Sequence, residues 1–426
     1  MTTRSVAAAG ALRGSVQVPG DKSASHRALL LSALASGRST ITGLSRADDV
    51  RATGVIAGQL GAEVTYSESV VTVEGPTLGL RAANEPLDCG NSGTTMRLVA
   101  GLVSGIAGTH VLIGDSSLSR RPMDRVAIPL TLMGATVSGQ GVSVTAPLKV
   151  IGSRELHAID YHLPVSSAQV KSSILLAGLA ATTKVIVRED VRTRSTTEDM
   201  LLRAGVSVES TNLADGRIVE LEPSRPQATT WIIPGDPSQA AFFAVLGAIH
   251  TDAEIEILNI DSSPERNGFI QVLQRMAAQL SISSTDTGIS LRSVSSKLTA
   301  TEILSSEIPS VDEVPALTVA AAAANGVSVF RDMGELRVKE SDRFASSMEL
   351  AAALGCRTWS ESDDFFIEGV GGAKHFNSFD FDGRSDHRMV MSSAIAGAAG
   401  YGCRITGAQT VSSSYPLFFD DLAALQ

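Results

Sequence analysis

Three stretches of this chain are apolar on every side. They are Ala28-Leu29-Leu30-Leu31-Ser32-Ala33-Leu34-Ala35, Ile174-Leu175-Leu176-Ala177-Gly178-Leu179-Ala180-Ala181 and Leu317-Thr318-Val319-Ala320-Ala321-Ala322-Ala323-Ala324. A helix apolar all round is a buried helix. Shorter pieces alternate instead. Val70-Val71-Thr72-Val73-Glu74 and Gly141-Val142-Ser143-Val144-Thr145 read as the half-buried strands of hairpins. The pattern predicts helices packed together inside, with sheets outside.

A phrase recurs in which an apolar helix end runs into a small-residue turn and then a strand. It reads Gln59-Leu60-Gly61-Ala62-Glu63-Val64, then Leu132-Met133-Gly134-Ala135-Thr136-Val137, Arg203-Ala204-Gly205-Val206-Ser207-Val208 and Ala353-Leu354-Gly355-Cys356-Arg357. The glycines are 73, 71 and 150 residues apart, and a degraded copy, Ala278-Gln279-Leu280-Ser281-Ile282, fills the double gap. Glycine there supplies a left-handed C-cap. Polar turns that open apolar helices interleave with these copies, near Lys22, Asn91, Ser167, Pro237, Glu313 and Asp386. Six copies of one α/β unit result. Because Pro234-Gly235-Asp236-Pro237-Ser238 echoes Pro19-Gly20-Asp21-Lys22-Ser23, they form two groups of three, the second beginning near Gly235.

Composition supports large cores. Of 426 residues, 43% are hydrophobic and 19% charged, while aromatics are 4%, so Ala, Leu, Val and Ile must fill the interior. A net charge of −10 and few aromatics argue against nucleic-acid binding. Three scattered cysteines offer neither a zinc site nor a disulfide framework. No apolar run reaches the ~18 residues of a membrane span, and there is no secretory pattern at the N-terminus. A cytoplasmic protein with no membrane partner is expected.

Charge changes the picture where it collects. The helix-start turns hold Lys22, Arg27, Arg97, Arg120, Arg121, Lys171, Arg194, Arg337, Lys339, Arg343, His387 and Arg388. A local basic cleft in an acidic chain suits small multiply charged anions. Backbone N–H groups at the start of the Lys22 helix would add to it, although a plain Ser-capped junction also fits those residues. Leu336-Arg337-Val338-Lys339-Glu340-Ser341-Asp342-Arg343 is either a solvated helix start or a site for proton transfer between neighbouring Lys and Glu. Ser385-Asp386-His387-Arg388-Met389 drives a His and an Arg into an apolar helix. In Pro309-Ser310-Val311-Asp312-Glu313-Val314-Pro315 an acidic residue is either a helix cap or a general base.

Five motifs in order resemble the 5-enolpyruvylshikimate-3-phosphate synthases over essentially the whole chain. They are Pro19–Arg27, Gly90-Asn91-Ser92-Gly93-Thr94-Thr95-Met96-Arg97, Arg120-Arg121-Pro122-Met123, Arg337–Arg343 and Asp386–Met389. The resemblance implies a two-domain inside-out α/β barrel of six βαβαββ units, three per domain about a pseudo-threefold axis. One domain would span 21–234 and bind shikimate 3-phosphate. The other would span 1–20 plus 235–426, with a two-strand crossover hinge near 20 and 235 and closure over the substrates. The implied reaction moves the enolpyruvyl group of phosphoenolpyruvate to the 5-hydroxyl of shikimate 3-phosphate through a tetrahedral intermediate, on the route to chorismate. No metal or organic cofactor is implied, and a monomer is expected.

By the same resemblance, Lys22, Ser23, Arg27, Ser166, Ser167, Gln169, Thr193, Arg194, Asp312 and Lys339 contact shikimate 3-phosphate. Lys22, Gly93, Arg121, Gln169, Arg343, His387 and Arg388 contact phosphoenolpyruvate. Asp312 is the implied base, Glu340 the proton relay, and Lys22 assists. Ala168, Leu98, Glu335 and the lysine-free Ser412-Ser413-Ser414-Tyr415-Pro416 depart from the enterobacterial branch towards the glyphosate-tolerant class, while Gly93 is retained; glyphosate sensitivity stays open. The sister transferase acting on UDP-N-acetylglucosamine uses a loop cysteine, absent from Gly114-Asp115-Ser116-Ser117-Leu118-Ser119-Arg120. An RNA 3′-phosphate cyclase-like protein is opposed by charge. A non-catalytic relative is opposed by the intact Lys22, Asp312, Glu340, Arg343 and Arg388.

Overall fold

The computed structural model describes residues 2–308 and 311–426, so Pro309 and Ser310 of the acidic motif lie outside the described residues. The chain divides into two compact units, Lys22–Ile233 and Met1–Asp21 with Pro234–Gln426. The fold is mixed α/β with the inside-out arrangement.

In the Lys22–Ile233 unit the helices are α1 (Lys22–Leu34), α2 (Asp48–Gln59), α3 (Gly93–Ser104), α4 (Asp124–Leu132), α5 (Ala168–Gly178) and α6 (Thr196–Arg203). The odd-numbered ones are the apolar helices, buried along most of their length. α3 packs on both α1 and α5. Each such helix has its own four-stranded sheet, in which a short edge strand pairs parallel to a central one and a hairpin pairs antiparallel on the other side. In the first repeat the edge strand, Thr230–Ile232, comes from the far end of the unit and pairs with Gly37–Thr42.

The other unit repeats the plan with α7 (Pro237–Ile249), α8 (Gly268–Arg275), α9 (Val314–Ala323), α10 (Arg343–Ala353), α11 (His387–Ala399) and α12 (Phe418–Ala424). Every residue of α7, α9 and α11 is buried, and the three pack against one another. Mutual burial, not intrinsic propensity, stabilises such helices. The edge strand of the first repeat is again borrowed: Leu12–Val16 pairs parallel to Ala253–Ile260. In the last repeat Thr3–Val6 pairs antiparallel with Cys403–Thr406 in place of a hairpin.

The turn glycines behave as their residue type requires. Gly61, Gly134, Gly205 and Gly355 have φ of +110°, +98°, +78° and +100°. The degraded copy keeps the conformation without the glycine, since Ala277 after α8 sits at φ +67°. The equivalent turn therefore lies one residue ahead of the phrase visible in the sequence. Among the described residues, no helix is long and apolar enough to cross a membrane.

Candidate active site

Each unit gathers charge where its buried helices begin. In Lys22–Ile233, α1 opens on Lys22, whose Nζ lies 2.8 Å from Asp49 Oδ2 in the first turn of α2. Five residues on, the buried Arg27 guanidinium donates to Thr197 Oγ1 on α6 at 2.5 Å and to Ser172 Oγ on α5 at 2.6 Å. Its third arm donates to the Ser23 carbonyl oxygen at 2.8 Å. Between the two cations His26 is fully buried, with Nδ1 2.7 Å from Thr53 Oγ1. Burial, then Lys22 and Arg27, hold its pKa well below the usual histidine value, so it is neutral.

α3 begins with Ser92 capping the Thr95 amide at 3.1 Å. That brings Gly93 up against two guanidinium groups: a Cβ there would lie 2.9 Å from Arg97 Nη1 and 3.2 Å from Arg121 Nη1. Arg97 donates to Gln169 Oε1 at 2.6 Å, Gln169 donates to Thr94 Oγ1 at 2.9 Å, and Arg121 donates to Asn91 Oδ1 at 2.9 Å. Ser167 caps α5, and Ser166 precedes it, half-buried. Thr193 is buried and Arg194 half-buried on the loop before α6. The structure thus brings Lys22, Ser23 and Arg27 together on α1, and Gly93, Arg121 and Gln169 together beside Arg97.

In the other unit Arg343, fully buried at the start of α10, is the hub. Nη1 lies 2.9 Å from Asp312 Oδ1, Nη2 lies 2.6 Å from Glu340 Oε2, and Nε lies 2.8 Å from Asp386 Oδ2. Arg388 adds a contact of 3.3 Å to Asp312 Oδ2 and donates to the Asp312 carbonyl oxygen at 3.1 Å. Burial pushes the Asp312 carboxyl up, but Arg388, Arg343 and Lys339 outweigh it and hold the group well below the usual carboxylate range. Asp312 is not the helix cap; Glu313 holds the N-cap position of α9. Lys339 Nζ lies 3.2 Å from Glu335 Oε1, four residues back. His387, buried at the start of α11, has Nδ1 3.1 Å from Ser413 Oγ.

Two of the cations counted in the sequence as part of a basic cleft are engaged elsewhere. Lys171 is fully buried between Glu189 and Glu198. Arg337 lies 3.4 Å from Asp363 and stacks 3.7 Å over the Phe344 ring. Other residues escaped the sequence reading. Asp49 looks like any acidic residue in a helix's first turn, and Thr197 and Ser172 carry no charge to mark them. Asp386 looks like a simple cap, which it is, accepting from the Arg388 amide at 2.9 Å. It also binds Arg343 through both oxygens.

The family model described as EPSP synthase (3-phosphoshikimate 1-carboxyvinyltransferase) matches residues 6–422. A 3-phosphoshikimate 1-carboxyvinyltransferase of Streptococcus equi subsp. zooepidemicus is 40% identical over 424 residues, covering 98% of both chains. One from Synechococcus is 41% identical over 430 residues, again covering 98% of each. The solved EPSP synthase of Acinetobacter baumannii superposes with a TM-score of 0.87 at 35% identity, over 99% of this chain and 98% of that one. The enolpyruvyl transferase NikO from Streptomyces tendae shares the fold at 17% identity, with a TM-score of 0.78. On this whole-length match the chain belongs to the EPSP synthase (3-phosphoshikimate 1-carboxyvinyltransferase) family.

Proposed function

We propose that the chain transfers the enolpyruvyl group of phosphoenolpyruvate to the 5-hydroxyl of shikimate 3-phosphate and releases inorganic phosphate. The observation that carries this reading is the Arg343 cluster. Beside the Asp386 carboxylate that anchors Arg343, it holds two further carboxylates, Asp312 and Glu340, among Arg343, Arg388 and Lys339. The chemistry needs that combination: a group to deliver a proton, a group to accept one, and cations for phosphate and carboxylate.

In this reading Glu340 delivers a proton to C3 of phosphoenolpyruvate, which leaves C2 electron-poor. The 5-hydroxyl oxygen bonds to C2 as its proton passes to Asp312. Return of the C3 proton to Glu340 and departure of phosphate, which takes the proton held by Asp312, restore the double bond and leave both carboxyls as they began. Arg343, Arg388, Arg121, Gln169, His387 and the open position at Gly93 hold phosphoenolpyruvate. Ser23, Arg27, Ser166, Ser167, Gln169, Thr193 and Arg194 hold shikimate 3-phosphate, with Asp312 and Lys339 on its hydroxyls. Lys22 serves both substrates. An anion that draws Arg343 and Arg388 away from Asp312 raises the proton affinity of that carboxylate. Binding of phosphoenolpyruvate would in this way strengthen the base.

The test is phosphate release from phosphoenolpyruvate, with shikimate 3-phosphate or UDP-N-acetylglucosamine as the acceptor. Release with the first alone is expected. Release only with the second, or with neither, overturns the reading.

A further inference from the structure

Lys171 is a fully buried cation that the proposed chemistry leaves unused. It lies one turn into α5, after Ser167 and Gln169, and its side chain is wholly shielded from solvent. Its Nζ lies 2.7 Å from Glu198 Oε1 and 3.2 Å from Glu189 Oε2. Arg217 stands 3.9 Å from each of these glutamates. Two cations thus face two carboxylates in the interior of the Lys22–Ile233 unit.

Such a cluster is a costly way to fill space. Apolar side chains of similar volume often stabilise a fold as well or better, because the desolvation of buried ions is large. What distinguishes this cluster is where its hydrogen bonds go. Glu189 Oε1 accepts from the Thr193 amide at 3.0 Å, and Glu189 Oε2 accepts from the Thr193 hydroxyl at 2.8 Å. Arg217 Nη1 donates to the Thr193 carbonyl oxygen at 3.2 Å. All three polar groups of Thr193 are therefore fixed by it. The next residue on α5, Ser172, receives Arg27, so one helix turn ties down both that arginine and the loop before α6.

We propose that Lys171 is a positioning residue: held between Glu189 and Glu198, it aims the Glu189 carboxylate at Thr193 and so sets the loop that presents Thr193 and Arg194 to the phosphate of shikimate 3-phosphate. This rests on the function proposed above. Without the ammonium, the Glu189 carboxylate keeps only the more distant Arg217, 3.9 Å away, to hold its orientation, and the loop loses part of its fixed geometry while the Arg343 cluster, in the other unit, keeps its own partners.

The test is two-substrate steady-state kinetics on the full chain with Lys171→Met and, separately, the isosteric Glu189→Gln. Folding is checked by circular dichroism and Trp231 fluorescence. The KM for shikimate 3-phosphate is expected to rise roughly tenfold to a hundredfold, the scale of one charge-assisted hydrogen bond. The KM for phosphoenolpyruvate and kcat should stay within about threefold, a split that a general loss of stability does not produce. Folded variants with both KM values unchanged, or with both raised alike, overturn the proposal. Should Lys171→Met fail to fold, Glu189→Gln decides by the same criteria. A wild-type chain that does not turn over shikimate 3-phosphate overturns the functional reading and this inference with it; an active wild type with indifferent variants overturns this inference alone.

Discussion

A buried neutral histidine between two cations makes acid sensitivity of the Lys22–Ile233 unit predictable. His26 is fully enclosed, and burial, Lys22 and Arg27 all disfavour its protonated form. Folded, it stays neutral; unfolded, it takes up a proton near pH 6.5. The folded pKa is depressed, so the histidine's contribution is present above the unfolded value and is lost as pH falls below it, where the unfolded state binds one proton more. Between pH 7.5 and 5.5 this one group removes about 1.4 kcal/mol of stability. The perturbation is His26→Gln, which stays neutral at both values and keeps a polar atom for Thr53. Trp231 reports on the right unit: it is buried, and its Nε1 donates to Ser32 Oγ on α1 at 2.9 Å. In a Trp359→Phe background, urea unfolding followed at Trp231 should give a wild-type loss over this interval that exceeds the variant's by about 1.4 kcal/mol. The buried His110, whose pKa is lowered chiefly by desolvation, titrates with the same sign but is common to both proteins and cancels. Equal losses in the two proteins would refute the reasoning, whatever their absolute stabilities.

Two further substitutions test the site and the repeat. Gly93→Ala would set a methyl 2.9 Å from Arg97 Nη1 and 3.2 Å from Arg121 Nη1. Both neighbours are ends of flexible side chains. The fold should survive, with a stability change within about 0.5 kcal/mol, while the KM for phosphoenolpyruvate rises and that for shikimate 3-phosphate does not; an unaltered KM for phosphoenolpyruvate would remove Gly93 from that role. Ala277→Gly relieves the left-handed backbone at φ +67°. It should stabilise the Met1–Asp21 and Pro234–Gln426 unit by about 1 kcal/mol, read from the urea transition of Trp359, and a fall in stability would show that the methyl packs more favourably than the backbone strains.

What the sequence disclosed was what repeats or has a period. Helices apolar all round had to be buried, and glycines at a fixed spacing had to be turns. The family motifs carried enough charge in a fixed order to identify the fold. The borrowed edge strands were not legible: Thr230–Ile232 has three residues, too few for an alternation to show, and its partner is some 190 positions earlier. Nor was the degraded fourth turn, since only the backbone reveals that Ala277 stands in for glycine.

The partner of each cation was the least legible feature, and it matters most for function. Lys22 and Asp49 are 27 residues apart, and Arg343 and Asp386 are 43 apart. No local spacing announces such pairs. Counting cations alone suggested an open basic cleft, but the structure answers them with carboxylates: Asp49 for Lys22, and Asp312, Glu340 and Asp386 for Arg343. Burial demands this, because an uncompensated guanidinium in the interior costs several kcal/mol. The same pairing sets the terms for an incoming anion. In the proposed function a substrate carboxylate or phosphate would not meet a vacant charge; it would compete with Asp312 and Glu340 for Arg343. The two groups displaced by that competition are those proposed to accept and deliver the proton, so an arrangement that stabilises the unit also couples substrate capture to the readiness of its acid and base.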